Sequence, residues 1–194
     1  MTWMILGLVL FLGTHSLRIV ANDWRSARVA GMGEKPFKAV YGLVSIAGLA
    51  LAIWGYGAMR QDPTMLWNPP LGLYHAVSLF TLPAFILLVA AYVPGNHLKA
   101  RVGHPMVMAV KFWAFGHLLA NGRVGDVVFF GAFFVWAVVL YIRSRKLDRA
   151  AGVTYPAGRM PATVATVLIG AAAWFLFARY GHMAVAGVPA LPGS

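Results

Sequence analysis

Residues 104–121 form an apolar stretch that also carries several polar side chains. His104, Lys111, His117 and Asn121 interrupt a run of otherwise hydrophobic residues. Ionisable groups are costly inside a bilayer, so they are retained mainly where they bind a ligand, an ion or a proton. Imidazole nitrogen is a common ligand of iron, zinc and copper. The stretch therefore predicts a functional site within a membrane helix.

The two histidines of this stretch have different predicted roles. They are thirteen residues apart, which rotates their side chains to about 140° from each other on an unbroken helix. One helix alone therefore cannot direct both at one metal. His117 lies deeper, on the face of Trp113, Ala120 and Asn121, and is the predicted ligand. His104 precedes Pro105 near the predicted cytoplasmic surface, where it caps the helix, binds a headgroup or is solvated; it is the weaker metal-ligand candidate.

A further histidine, His15, lies beside Ser16 in the first apolar segment. A helix that starts near Thr2 places His15 about 20 Å along its axis, past the bilayer midplane. One interpretation is an interfacial histidine at a helix end. The other, which we prefer, is a metal ligand, because a His-Ser pair in an apolar helix is costly without a partner. Arg18 follows, where its side chain can extend to the headgroups.

Lys111 lies seven residues after His104 and on nearly the same helical face. The chain has five acidic residues, and all are outside the predicted spans or at their ends. Lys111 therefore either extends along its own stem to the membrane surface or faces an exogenous anion. A haem propionate or a phospholipid headgroup would serve as that anion, and the sequence leaves both interpretations open.

The composition is that of an integral membrane protein. Of 194 residues, 60% are hydrophobic and 11% are charged, whereas soluble domains carry about a quarter charged residues. Cysteine is absent, which excludes disulfides, thiolate metal sites and thiol catalysis. The net charge of +11 lies in links between apolar runs. Membrane topology and anionic headgroups therefore explain it, and no nucleic-acid partner is expected.

Six apolar segments predict an all-α, polytopic membrane helical bundle with about six transmembrane helices. Each is near the roughly 20 residues that span a bilayer, although the fourth is short. The first lacks a basic n-region and an A-x-A cleavage site, so it is predicted to be a retained helix. Gly42, Gly48, Ala52 and Gly55 are predicted to allow close helix packing. The segments cover residues 3–19, 37–59, 71–93, 104–121, 124–142 and 161–180.

The basic residues predict the orientation of these helices. Twelve lie in the first, third and fifth links and three on the opposite side. The positive-inside rule then places both termini away from the cytoplasm. The chain is expected to form one transmembrane domain over residues 1–182, with a disordered tail over residues 183–194. The link over residues 21–36 is predicted to be polar, and that over residues 143–161 to be the longest.

Several separate stretches occur in the order found in one family of bacterial membrane proteins. They are FLGTHSLR, GEKPFKAVYGLVS, LWNPP, PAFILLVAAYVPGN and GHPMVMAVKFWAFGHLLANG. Along nearly its whole length the chain resembles the NnrU family, which is associated with nitrite and nitric oxide metabolism in denitrifying bacteria. The resemblance implies a multi-pass protein of the bacterial inner (cytoplasmic) membrane.

The NnrU family is in turn similar to the plant zeta-carotene isomerases, which are membrane proteins that bind haem b. His15-Ser16 matches their first ligand motif, Gly116-His117-Leu118-Leu119 resembles the second, and His104-Pro105 falls at the matching spacing. The resemblance implies haem b with His15 and His117 as iron ligands. A cysteine near the second ligand has no counterpart here, so ligand exchange with a thiolate is excluded and the carotenoid substrate is not carried over.

The haem interpretation assigns roles to further side chains. Arg18 and Lys111 are the predicted propionate partners. Ser16, Thr14 or Asn121 is predicted to hold the second nitrogen of a ligand imidazole. With haem bound, the protein would be a redox isomerase, a sensor or an electron-transfer unit. Its expected partners are the lipid bilayer and a membrane oxidoreductase or a quinone.

Two other functions stay open. One is a membrane methyltransferase of the isoprenylcysteine or phospholipid type, since these enzymes also place a His-Pro segment before a membrane helix. Against it, Gly103 stands where those enzymes have arginine, and no acidic residue follows the last helix to bind a ribose. The other is a non-enzymatic assembly partner of a membrane oxidoreductase. Whether the chain is an enzyme, as a haem-dependent isomerase or oxidoreductase would be, is left open by the sequence.

Overall fold

The computed structural model describes residues 1–61 and 64–191, without the side chain of Arg18. The regular secondary structure of these residues is helical, and Met65 and Arg123 form an isolated β-bridge. The helices are α1 Thr2–Val20, α2 Asn22–Met32, α3 Glu34–Met59, α4 Leu71–Tyr92, α5 His97–Val102, α6 Pro105–Ala120, α7 Val124–Ala150, α8 Met160–Leu176, a π-helical turn Phe177–Gly181 and α9 His182–Ala186.

All six predicted apolar segments form helices, which confirms the all-α membrane fold. Within the described residues, α3, α4, α7 and the continuous stretch Met160–Ala186 are long and apolar enough to cross a membrane. Helices α1 and α2 are long and apolar enough to cross a membrane only as a pair, and their axes are bent by 83° from each other. Helix α6 has 16 residues and is shorter than the usual span of about 20. The protein is therefore a multi-pass membrane protein, and its described residues contain four to five helices that could span the bilayer.

The largest differences from the prediction are helices that continue into polar sequence. The link over residues 21–36 contains the 11-residue helix α2, which ends at Met32 and is followed by Gly33 with φ of 85°. Helix α7 continues to Ala150 instead of ending near residue 142. Hydropathy marks the part of a helix that lies in lipid, whereas hydrogen bonds can extend the same helix into water. The predicted long link therefore shortens to residues 151–159.

The first of two compact units comprises residues 1–68 and 121–136. Its helices α1 and α3 approach each other through small residues. A Cβ atom on Gly55 would lie 2.4 Å from the backbone nitrogen of Met4, and one on Gly48 2.8 Å from that of Phe11. Ala52 is completely buried, whereas Gly42 faces open space. Close packing is therefore confirmed for every predicted small residue except Gly42.

A buried carboxylate joins two helices of the first unit. Asp126, in the first turn of α7, is 5% exposed. It accepts hydrogen bonds from the Tyr56 hydroxyl at 2.7 Å and from the backbone N–H of Arg123 at 3.3 Å. The Arg123 side chain in turn donates to the carbonyl oxygen of Arg60. Asp126 thus caps α7 and anchors it to the end of α3.

The second unit comprises residues 69–120 and 137–194, of which 192–194 lie outside the described residues. Its helix α4 packs on α6 and α8 through glycines. A Cβ atom on Gly116 would lie 2.9 Å from that of Phe80, and one on Gly170 2.6 Å from the Cα of Ile86. The Trp174 indole N–H donates to the Thr81 hydroxyl at 3.0 Å. The predicted boundary at residue 182 and the disorder beyond it stay predictions.

Candidate functional site

His15, on α1, is enclosed by aromatic side chains of the first unit. Its Nδ1 lies 2.8 Å from the carbonyl oxygen of Phe11, so the Nδ1–H donates to the preceding helical turn. The ring lies 4.4 Å from that of Phe11 and 5.5 Å from that of Tyr41, between centroids, and meets Trp136 edge-on at 6.3 Å. A proton on Nδ1 leaves the lone pair on Nε2, the nitrogen that can then bind a metal.

Ser16 has a different partner from the one predicted. Its hydroxyl donates to the carbonyl oxygen of Leu12 at 2.7 Å and accepts the indole N–H of Trp136 at 3.0 Å. Thr14 donates to the carbonyl oxygen of Leu10. The backbone of Phe11, rather than Ser16 or Thr14, therefore holds Nδ1 of His15. Ser16 orients Trp136, a residue far away in sequence that no sequence pattern linked to His15.

His117, on α6 in the second unit, is half-buried. Its Nδ1 lies 2.8 Å from the carbonyl oxygen of Trp113, and the two ring centroids are 5.2 Å apart. Ala120 on the predicted common face is buried. As in His15, the proton on Nδ1 leaves Nε2 as the basic nitrogen.

The two histidines share one local arrangement, although they belong to different units. In each, an aromatic residue four positions earlier supplies both the carbonyl oxygen that accepts the Nδ1–H and a ring contact. A backbone carbonyl on the second nitrogen is the usual support of a metal-binding histidine, because it fixes the tautomer and the ring orientation. Each imidazole, taken by itself, therefore has the chemistry of an iron ligand in a b-type haem protein.

His182, which was not among the predicted site residues, packs beside His117. The ring centroids are 6.4 Å apart with an angle of 25° between the planes. The Nδ1–H of His182 donates to the carbonyl oxygen of Val188 at 2.8 Å. A π-helical turn, Phe177–Gly181, directly precedes it, and such turns recur at functional sites. The pair depends on a tertiary contact, so the sequence carried no signal for it.

Lys111 lies between aromatic rings on the second unit. Its Nζ is 5.8 Å from the centroid of Phe112 and 5.7 Å from that of Tyr141. Among the described carboxylates, which exclude Asp62, none lies within 4 Å of this ammonium group. The rings therefore provide the local stabilisation of the charge. An exogenous anion as its partner stays a prediction.

His104 takes part in a polar cluster at the start of α6. Its Nε2–H donates to Oδ2 of Asp148 at 2.7 Å, and the Tyr155 hydroxyl donates to the same oxygen. The Arg145 guanidinium lies 3.8 Å from that oxygen. Gly103, with φ of 74°, precedes the cluster, and a Cβ there would lie 2.5 Å from Nη1 of Arg145. This arrangement gives His104 the role of an anchor between segments and separates it from the role of His117.

The other predicted site residues are described only in part. The side chain of Arg18 lies outside the described residues. Asn121 is half-buried just after α6 and belongs to the first unit. Within the described part of the chain, no group of three or more His, Cys, Asp or Glu residues could hold a metal ion. An iron site would therefore rest on a small number of imidazoles, as haem sites do.

The family of the chain follows from its match to a family model. Residues 3–190 match the family described as NnrU protein. The chain belongs to the NnrU family. This confirms the resemblance seen in the sequence. No curated protein and no solved structure matches the chain. In this NnrU-family protein, the His15, His117 and His104 environments all lie within the matched residues.

Proposed function

We propose that this NnrU-family membrane protein binds haem b, and that His15 and His117 would hold its iron. The observation that supports the proposal is the common tautomer of these histidines, since each donates its Nδ1–H to a backbone carbonyl oxygen at 2.8 Å. We further propose that the protein acts in nitric oxide metabolism linked to denitrification, in the bacterial inner membrane. Haem b supplies one-electron redox chemistry when it is bound.

The side chains around the two histidines have complementary roles in this proposal. Phe11 and Trp136 pack against the imidazole of His15 and Trp113 against that of His117, which restrains ring rotation. Lys111 and Arg18 supply positive charge for the propionates. With both histidines holding the iron, the haem would supply electron transfer rather than catalysis at an open iron. A membrane oxidoreductase or a quinone is the proposed redox partner, and sensing or redox isomerisation are the other roles open to such a site.

An absorption spectrum of the detergent-purified protein tests the proposal. Wild-type protein is expected to show a sharp Soret band and, after reduction with dithionite, the split visible bands of low-spin haem. His15→Ala and His117→Ala are each expected to lose or shift these bands. His75→Ala is the matched control, because His75 is an exposed histidine on α4, and it should leave the spectrum unchanged.

A protein that stays colourless after addition of haem would overturn the proposal. Binding of S-adenosylmethionine by that protein would then support the methyltransferase alternative. Protein that binds neither compound would fit an assembly partner of a membrane oxidoreductase. If the spectrum is unchanged by both histidine substitutions, the protein binds haem but His15 and His117 are not its ligands.

A further inference from the structure

The first unit contains a cavity of about 340 Å³ between α1, α2 and α3. Leu17, Phe37, Val40 and Val44 form an apolar wall, and Arg28 contributes a guanidinium group. The volume lies at the lower end of the range of about 300–1,000 Å³ for small-molecule sites. An apolar cavity with one cationic group matches an amphiphile with a negatively charged head.

Helix α2, which forms one side of the cavity, has the features of a helix that lies on a membrane surface. Its axis is bent by 83° from that of α1, and none of its described residues is buried. Trp24 and Met32 are exposed, while Arg25 and Arg28 supply positive charge. Such helices place their apolar side chains near the boundary between headgroups and acyl chains. A helix of this kind on one side of the cavity is consistent with an opening near the headgroups.

The charges around the cavity favour an anionic ligand. The Arg28 guanidinium lies 5.5 Å from the ring centroid of Trp24. The Arg25 guanidinium lies 5.6 Å from the ring centroid of Phe37. None of the described carboxylates lies within 4 Å of either guanidinium. Glu34, the nearby acid of α3, pairs with Lys38 at 2.6 Å. Arg28 is thus available to a phosphate, whereas Arg25 also interacts electrostatically with Glu34.

We propose that this cavity is a binding site for one anionic phospholipid. The phosphate contacts Arg28, with Arg25 nearby, and an acyl chain lies against Leu17, Phe37 and Val40. A lipid satisfies both features of the cavity, since its head matches the guanidinium groups and its chain matches the apolar wall. A soluble anion would leave that wall uncovered.

The site also adjoins the surroundings of His15. Tyr41 lines the cavity, and its ring centroid lies 5.5 Å from that of His15. An occupied lipid site therefore packs against a side chain that contacts the proposed iron ligand. The lipid proposal itself does not depend on haem, because none of its contacts involves His15.

Quenching of Trp24 fluorescence by brominated lipids tests the proposal in reconstituted vesicles. Phosphatidylglycerol and phosphatidylcholine with dibrominated chains are compared at equal mole fraction. The quenching of Trp24 is the difference in fluorescence quenching between each protein and the same protein carrying Trp24→Phe. Brominated phosphatidylglycerol is expected to quench Trp24 more strongly. Arg28→Gln should reduce this preference roughly fivefold, as expected for one arginine at an anionic surface. Arg149→Gln, which alters an exposed arginine at the end of α7, is the control and should retain it.

Two further variants separate headgroup recognition from misfolding. Arg28→Lys keeps the charge and should keep most of the preference. Val44→Trp fills the cavity and should reduce quenching of Trp24 by brominated chains. Its Trp24 contribution is measured against the double variant Val44→Trp/Trp24→Phe. Equal quenching by the two lipids in wild-type protein, or equal losses in Arg28→Gln and Arg149→Gln, would overturn the proposal. Displacement of phosphatidylglycerol by a short-chain quinone would assign the cavity to a quinone instead.

Discussion

The imidazole of His104 donates its Nε2–H to Oδ2 of Asp148 across 2.7 Å and so links the start of α6 to the end of α7. His104 immediately precedes α6 and Asp148 lies in α7, and both residues belong to the second unit. Tyr155, in the following link, donates to the same carboxylate oxygen. Three segments therefore meet at one acid outside the apolar part of α7. The integrity of this end of the unit should depend on that carboxylate.

Asp148→Asn should destabilise the protein through this cluster. The substitution removes the charge that strengthens both hydrogen bonds, and we expect a loss of roughly 1 kcal/mol in the free energy of unfolding. That loss corresponds to a decrease in Tm of about 2–4 °C for a chain of this size. Thermal unfolding in detergent, followed by tryptophan fluorescence, measures it. Glu34→Gln is the control, because the Glu34–Lys38 pair is mostly exposed and should change Tm little.

Tyr155 should make stability depend on alkaline pH. Burial, followed by its hydrogen bond to Asp148, raises the pKa of Tyr155 above its ordinary value. Above about pH 10, the ordinary tyrosine pKa, the unfolded chain loses this proton while the native protein retains it. The unfolding free energy therefore falls as pH rises from about 10 through the raised pKa. The Tm advantage of wild type over Tyr155→Phe should shrink between about pH 9 and about pH 11, and a constant difference would contradict this account.

The sequence predicted the features that lipid imposes on the backbone. Apolar runs must form helices because no water is present to satisfy their hydrogen bonds, and each predicted run does so. Local sequence also identified His15 and His117 as unusual polar residues. Their Nδ1 partners proved to be carbonyl oxygens one turn earlier. A helix offers that interaction without any sequence signal, since every residue supplies a carbonyl.

Contacts between distant residues could not be predicted from the sequence. Trp136, His182 and Asp148 meet their partners through tertiary packing, which hydropathy and spacing do not encode. Asp148 was assigned to a link because α7 was expected to end near residue 142, whereas the charged sequence continues as helix. For the glycines of α3, too, the sequence does not show which of them contact another helix. Composition marked both Gly42 and Gly55 as packing residues, but only the structure shows which of them faces α1.

The contact between α1 and α3 predicts opposite results for two glycine substitutions. An added Cβ on Gly55 would lie 2.4 Å from the backbone nitrogen of Met4, so Gly55→Ala must displace a helix. We expect a destabilisation of about 1–3 kcal/mol from this overpacking. Gly42→Ala meets open space and should be neutral or stabilise the helix by up to about 1 kcal/mol. Equal Tm values for the two variants would contradict close packing at Gly55.

Lys111→Met should lower the reduction potential of the proposed haem. A nearby cation favours the reduced iron, which carries one less positive charge, and its influence is strong inside a bilayer because the local dielectric constant is low. Methionine preserves much of the apolar stem that lies against Phe112 and Tyr141 while it removes the charge. A decrease on the order of tens of millivolts is expected, measured by a redox titration of the Soret band.

Lys146→Met is the matched control for the charge itself. Lys146 is exposed near the end of α7, where water and salt screen its field, so its removal should leave the potential nearly unchanged. An unchanged potential in Lys111→Met would show that Lys111 does not act on the iron, and that its charge is balanced by the aromatic rings alone. Loss of haem in Lys111→Met, with the protein still folded, would instead indicate that Lys111 is needed for haem retention.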